Sequence, residues 1–162
     1  MKKIKVSINI ISSFNHANFV SLLKNSDNFD WEINEVEYNQ VFQTLTNSKA
    51  KMWQQKVNIT LIWTTPESIS SEFQKLQNKN AVNTDIIKKD IDYFCSCVKS
   101  IKKYSDFVLV PNWILKQPRE SNLALTYSKD FGLEYNLTFM NYYLSEQLNK
   151  EKNFYIFNSS KW

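Results

Sequence analysis

Glycine is almost absent from this chain of 162 residues: Gly132 is the only one. A Walker loop and a dinucleotide-binding fingerprint each need several glycines, because the backbone must approach phosphate oxygens more closely than a Cβ allows. Neither can be built, which excludes nucleotide binding by a glycine-rich loop. Arginine is equally scarce, with Arg119 alone among 20 basic residues. Nucleic-acid surfaces draw on the planar arginine fork as well as on lysine. Here the lysines are dispersed beside Asn, Gln and Asp, and the net charge is only +4, so they read as a solvated surface and no nucleic-acid partner is expected. One histidine, His16, and two cysteines, Cys95 and Cys97, cannot assemble a His/Cys metal centre, and neither a metal nor another cofactor is implied. The cysteines stand two apart in a helix-like segment, which turns them to different faces and disfavours a disulfide. Two free thiols point to a cytoplasmic setting. No run reaches the roughly 18 apolar residues that a membrane helix needs, so no membrane partner is expected. The opening residues 1–11 are broken by Lys5, Ser7 and Asn9 and lack a small-residue cleavage site, unlike a signal peptide.

What remains is the composition of a folded domain: 43% hydrophobic and 15% aromatic residues in a length that suits one unit, 1–162. Strand-like and helix-like runs alternate. Residues 3–11, 30–38, 57–65, 106–112 and 153–158 read as strands, the third nearly all apolar or β-branched and so central, the second mixed with Glu32, Glu35 and Glu37 and so an edge. Residues 16–24 read as a helix with apolar positions Phe19, Leu22 and Leu23, and residues 39–47 as a short one. Pro66 opens another at a first-turn position. Residues 85–104 carry Ile86, Ile87, Ile91, Phe94, Val98 and Ile101 at three- and four-residue spacing, the best helix of the chain, and residues 133–151 form a second amphipathic helix. Residues 118–131 read as a polar loop. The alternation predicts a three-layer α/β/α sandwich around a five-stranded parallel sheet in the order 2-1-3-4-5.

In such folds ligands bind at the carboxyl ends of the strands. Those ends bring Ser12, Ser13, Asn15 and His16 after strand one, Thr64 and Thr65 after strand three, Asn112 after strand four, and Asn158, Ser159 and Ser160 after strand five. The rim is neutral and rich in hydrogen-bonding groups, with no strong base. Ser13 and His16 are the one possible serine–histidine pair. Their spacing across a strand-to-helix turn suits a helix cap better, with a Ser or Asn capping and His16 at the surface. Asp90 and Asp92 have the spacing of a phosphatase aspartate pair but fall within the best helix rather than after a strand. Trp53, Trp63 and Trp113 read as core or pocket lining. Lys99, Lys102 and Lys103 oppose the dipole at a helix C-terminus. Three sequons, at Asn58, Asn136 and Asn158, are what chance provides in so asparagine-rich a chain, and Asn58 lies in the predicted central strand.

Several of these segments resemble one family. The turn Ser12-Ser13-Phe14-Asn15 is similar to the glycine-serine-phenylalanine-threonine turn that opens the N-terminal domain of FkbH-like proteins, with Ser12 in place of the glycine. Glu37-Tyr38-Asn39-Gln40-Val41, followed by Ser48, resembles that domain's YNQV segment. Asn112 and Pro118 stand where the family has an asparagine-to-proline loop, and Phe139-Met140-Asn141-Tyr142-Tyr143-Leu144 is similar to its LNxxL helix. The resemblance implies an SGNH-hydrolase-like fold that precedes a haloacid dehalogenase-like domain of subfamily IIIC type. The chain is then either the N-terminal part of such a protein or a stand-alone relative. It further implies acyl or glyceryl transfer to an acyl carrier protein, or related polyketide and surface-polysaccharide biosynthesis. Ser13 matches the SGNH nucleophile. The Asp-x-x-His that would supply its base is missing from 158–162, which favours a binding domain over a hydrolase. The reading is therefore a non-hydrolytic domain that binds a small acyl, glyceryl or sugar group or a carrier protein. Its alternative is an SGNH-type esterase or acyltransferase built on Ser13.

Overall fold

The computed structural model describes residues 3–115 and 123–159. Five parallel strands, β1 (Ile4–Ser12), β2 (Phe29–Glu35), β3 (Val57–Trp63), β4 (Ser105–Pro111) and β5 (Phe154–Phe157), form one sheet in the order β2-β1-β3-β4-β5. The order and the helices on both faces are those that the alternation predicts. The chain steps outward from β1 to β2, then reverses past β1 to β3 and continues to β4 and β5. Right-handed crossovers therefore put the first helix on one face and the later ones on the other. α1 (Ala17–Lys24) packs Phe19, Val20 and Leu23 against Ile8, Ile10 and Leu61. The opposite face, with Ile11, Ile62, Val108 and Val110, carries α2 (Val41–Thr46), α3 (Pro66–Ile69), α4 (Ser71–Gln77), α5 (Thr84–Ser100) and α6 (Leu133–Leu148). The point where strand order reverses lies between β1 and β3, at their carboxyl ends.

Local chemistry sets the element ends. Pro66 sits in the first turn of α3, where its missing N–H costs nothing, behind a Thr65–Ser68 capping box. Asn83 caps α5 by accepting from Asp85 N–H at 2.9 Å, and Ser70 caps α4 by accepting from Phe73 N–H at 3.2 Å. α5 stops at Ser100, and a single 3-10 turn over Lys102–Tyr104 leads into β4, so the helix is shorter than its apolar period suggested. β2 ends at Glu35, three residues before the predicted limit, and the chain then turns back through Asn39, whose φ of 66° is a left-handed conformation that Asn tolerates. Gly132 has an ordinary φ of −86°. Its role is close approach: an added Cβ would come within 3.0 Å of the backbone carbonyls of Thr126, Ser128 and Leu125.

Some predicted core positions change. In α1 Leu22 is 71% exposed, while Val20 takes the buried place, because an eight-residue helix fits more than one 3.6-residue phase. Ile86 lies outside the stripe of Ile87, Ile91, Phe94 and Val98 and is exposed. Cys95 and Cys97 are both buried and unpaired, because α5 is packed on its flanks as well as on its sheet-facing side. Burial pushes the Cys95 thiol up to about 12. Asn58, within β3, is exposed and accepts from the Ser7 N–H at 3.0 Å. Asn136 is fully buried, its amide donating to Lys129 and Gly132 carbonyls, so that sequon is closed. Asp90 and Asp92 lie on α5 and accept from Ser70 Oγ (2.6 Å) and Tyr143 OH (2.7 Å) respectively, a helix-surface role and not a phosphatase pair. Trp53 and Trp113 are core residues, and Trp63 is half-buried with its ring edge-on to Phe14 and Phe19.

Candidate functional site

The turn after β1 is held by its own side chains. Ser12 Oγ donates to the Phe14 carbonyl at 2.9 Å and accepts from Phe14 N–H at 3.2 Å, a compact hydroxyl turn. Asn15 Oδ1 accepts from Ala17 N–H at 2.9 Å, an Asx turn that leads into α1, whose N-cap position is His16. Ser13 sits between these two. Its N–H donates to the Trp63 carbonyl at 3.1 Å, and its Oγ accepts from the Thr65 N–H at 2.9 Å. Ser13 and Thr65 are therefore brought into direct contact, stitching the carboxyl ends of β1 and β3.

His16 is not at the surface as the spacing suggested, but 8% exposed. Its Nε2 lies 3.1 Å from Glu35 Oε2 and its Nδ1 3.3 Å from the Phe14 carbonyl. Both ring nitrogens are thus engaged with oxygens other than Ser13 Oγ. A serine nucleophile needs an imidazole nitrogen in hydrogen-bond reach of its hydroxyl, and His16 makes its contacts with Glu35 and the Phe14 carbonyl instead. Glu35, which the pattern of β2 marked only as part of a charged edge, is the residue that fixes the histidine. Nothing in its alternation with Ile33 and Val36 distinguishes it from Glu32 or Glu37. Only the parallel register that sets Ile10 beside Glu35 places it near the β1 turn.

The remaining rim residues are tied together in pairs. Thr64 is buried, and its Oγ1 accepts from the indole N–H of Trp113 at 2.9 Å. Asn112 Oδ1 accepts from Ser159 N–H at 2.7 Å, and Ser159 Oγ donates to the Asn112 carbonyl at 2.9 Å. Asn158 is exposed beside this pair. Trp113 is clasped by Asn141 of α6, which accepts from its backbone N–H (2.8 Å) and donates to its carbonyl (2.9 Å). Asn141 falls in the Phe139–Leu144 run already noted, but its function as a clasp becomes visible only when α6 is set beside β4. The Glu37–Val41 segment closes the other side: Asn39 N–H donates to the Ser12 carbonyl at 3.1 Å, and Gln40 Nε2 to Glu37 Oε2 at 3.2 Å. Pro118, Arg119 and Ser160 lie outside the described residues. Between the β1 turn and the segment after β2 opens a cavity of about 320 Å³, lined by Asn15, His16, Ala17, Glu35, Val36, Glu37 and Tyr38. Among the described residues no group of three or more His, Cys, Asp or Glu side chains is placed to hold a metal ion, and no helix is long and apolar enough to cross a membrane.

Fold and rim together define an α/β domain with a polar, hydrogen-bonded crown at the carboxyl edge of a five-stranded parallel sheet. No protein-family model matches the sequence, and no curated protein matches it. Among solved structures, the chain is similar to a crystal structure of the N-terminal part of the protein BF1531 from Bacteroides fragilis, containing a phosphatase domain and complexed with Mg. The TM-score is 0.74 at 20% identity, over 98% of this chain and 42% of that one. The likeness is one of fold, and this chain spans less than half the length of that neighbour.

Proposed function

We propose that this chain is an FkbH-like N-terminal domain that binds without hydrolysing, working in the cytoplasm beside a haloacid dehalogenase-like phosphatase domain. Its ligand is a small acyl, glyceryl or sugar group, or the acyl carrier protein that bears one, in polyketide or surface-polysaccharide biosynthesis. The observation that carries the non-hydrolytic part is the state of Ser13 and His16. Ser13 Oγ accepts from Thr65 N–H while the imidazole nitrogens face Glu35 and the Phe14 carbonyl, so the hydroxyl has no hydrogen bond to the histidine that would have to take its proton. The family part is supported by the segments that resemble FkbH-like proteins and by the fold shared with a chain that carries a phosphatase domain. The ligand-facing groups would be Asn15, His16 and the lining of the adjoining cavity, whose volume suits a small group. Ser12, Thr64, Thr65, Asn112 and Asn158 frame the crown.

The competing reading, an esterase or acyltransferase with Ser13 as nucleophile, is favoured by the position of Ser13 on the strand-to-helix turn. One experiment separates the two. Wild type and Ser13→Ala are incubated with short-chain nitrophenyl esters and a fluorophosphonate probe. The binding reading expects no turnover and no labelling of either protein; labelling of the wild type alone would overturn it. Titration with an acyl carrier protein in its free and acyl-loaded forms then tests the ligand, and absence of association at high micromolar concentration of both forms, together with no retention of acyl or sugar phosphates, would refute it.

A further inference from the structure

The sheet ends at β2 on one side, and the outer side of that strand is open. The Ile4 N–H donates to the Asn28 carbonyl, and the Val36 N–H to the Ile10 carbonyl. Along a strand, alternate residues turn both backbone groups to the same neighbour. The even-numbered residues from 28 to 36 therefore face β1. Phe29, Trp31, Ile33 and Glu35 turn their N–H and C=O outward, where none of these groups has a hydrogen-bond partner among the described residues. Residues 1–2 enter beside Phe29. Residues 116–122 and 160–162 leave the sheet from β4 and β5, three and four strand positions from β2, roughly 14 and 19 Å away. β2 holds no proline and pairs with β1 without a bulge, so it lacks two of the backbone devices that block an edge.

A cleft of about 760 Å³ lies beside the carboxyl half of this edge, lined by Asn34 and Val36 of the edge and by residues of the segment 50–55. That segment crosses the sheet face that carries Asn9 and Asn34. Asn9 Nδ2 donates to the Met52 carbonyl at 3.1 Å, and Asn34 Nδ2 to Asn9 Oδ1 at 3.2 Å. Gln54 and Gln55 line the cleft and are exposed, which adds hydrogen-bonding amides to the open backbone. The edge is acidic on a chain of net charge +4: β2 and the turn after it carry Asp30, Glu32, Glu35 and Glu37. Against them stand Lys5, 3.8 Å from Glu32, and Lys51 on the far wall of the cleft. By strand alternation Asp30 and Glu32 share the cleft face with Asn34, while Phe29, Trp31 and Ile33 take the other face.

We infer that the outer edge of β2 pairs with an extended segment of another protein in which lysine or arginine alternates with apolar residues. The backbone of that segment completes the hydrogen-bond ladder of Trp31, Ile33 and Glu35. Its basic side chains stand opposite Asp30 and Glu32, and its apolar ones beside Trp31 and Ile33, which are the cross-strand pairs that stabilise a sheet. A second copy of this chain does not fit, because pairing β2 with β2 sets Asp30, Glu32 and Glu35 against the same acids. The inference goes beyond the proposed function and does not depend on it, although the cavity at the β1 turn shares Glu35 and Val36 with this cleft.

The test titrates the 162-residue chain with a fluorescent peptide of alternating lysine and valine as long as β2, 7 residues. Binding is expected below about 1 mM. Amide exchange should slow at Trp31, Ile33 and Glu35, and change least at Glu32 and Asn34, whose N–H groups already face β1. The same peptide N-methylated throughout, and one with glutamate in place of lysine, should each bind at least about tenfold more weakly. A protein carrying both Asp30→Lys and Glu32→Lys should prefer the glutamate peptide. Both residues are exposed, and a thermal melt checks that the variant is folded. If it is not, Glu32→Gln alone replaces it and should weaken the lysine peptide about threefold. Equal binding of the lysine and glutamate peptides, undiminished binding of the N-methylated one, or slowed exchange away from the β2 edge would each overturn the inference. So would a dimer of the chain alone that protects the β2 amides, or no association up to about 1 mM.

Discussion

The clasp between Asn141 and Trp113 is the most exacting test of how the crown is held. Asn141 is half-buried on α6 and makes both backbone bonds of Trp113, while the indole of Trp113, 1% exposed, donates to Thr64 Oγ1 and packs 6.0 Å from Phe94. Asn141→Ala removes both amide bonds and leaves the ring in place. Each bond contributes about 1 kcal/mol net, and leaving a partly buried N–H and C=O unpaired adds to the loss. Asn141 itself is half-buried, so the space its amide vacates opens toward water, which holds the total to about 2–3 kcal/mol. For a domain of this length a loss of 1 kcal/mol lowers the melting temperature by roughly 2–4 °C, so the variant should melt about 5–10 °C below wild type. Asn141→Asp keeps the acceptor for Trp113 N–H but turns a carboxylate oxygen toward the Trp113 carbonyl, and it should lose at least as much at neutral pH. Urea and thermal unfolding measure both variants, and amide exchange at Trp113 should accelerate in parallel. Because Thr64→Val cuts the other anchor of the same residue, a double-mutant cycle with Asn141→Ala should show a coupling of at least about 0.5 kcal/mol. An Asn141→Ala protein that melts within about 1 °C of wild type would refute the reasoning, because the two backbone bonds would then contribute nothing.

Gly132→Ala drives a methyl group into three backbone carbonyls and should destabilise by about 1–3 kcal/mol, measured by urea unfolding; a neutral effect would mean the 126–132 turn relaxes freely. Cys95, pushed up to about 12 by burial, and the buried Cys97 should resist a disulfide reagent in the native protein and react only on unfolding, which a thiol titration with and without denaturant reads directly. Acid should weaken the fold through its paired carboxylates. The bond from Lys75, then that from the Asn83 N–H, holds Glu72 below its usual value of 4.5, and Lys56 and Lys102 do the same for Asp106 and Glu151. Their folded values lie below the unfolded ones. The stabilisation is therefore complete above the unfolded value and is lost as pH falls through the folded one. Glu72→Gln should accordingly narrow the stability gap to wild type on acidification below about pH 4.5, and a gap that widens there would contradict the assignment.

Much of the architecture was legible because it depends on short-range signals. The β-branched run 57–63, the Ile87–Ile91–Phe94–Val98 stripe and the alternation of strand and helix are local patterns, and handedness rules convert them into one strand order. Positions at the ends were less legible. Leu22 and Val20 exchanged places because a short helix admits two phases, and β2 closed at Glu35 because Asn39 turns back to bond the Ser12 carbonyl. The location of the crown could be read from topology, but not its wiring. That Ser13 Oγ would accept from Thr65 N–H, that Thr64 would hold Trp113, and that Asn112 would hold Ser159 are pairings across 52, 49 and 47 residues, which no local pattern encodes.

The sequence by itself determined what this protein cannot be and how its layers are arranged. One glycine rules out a phosphate-cradling loop, one histidine and two cysteines rule out a His/Cys metal centre, and the spacing of apolar residues specifies a parallel sheet between helices. Tertiary structure alone decided the state of the β1 turn and the exposure of the sheet. His16 is buried against Glu35 because the parallel register of β1 and β2 brings the end of the edge strand beside that turn. Phe107 and Tyr155 are partly exposed, and among the described residues the helices packed on the sheet after β2 lie on the opposite face. Both outcomes depend on which strands become neighbours, and strand neighbourhood is a property of the whole chain.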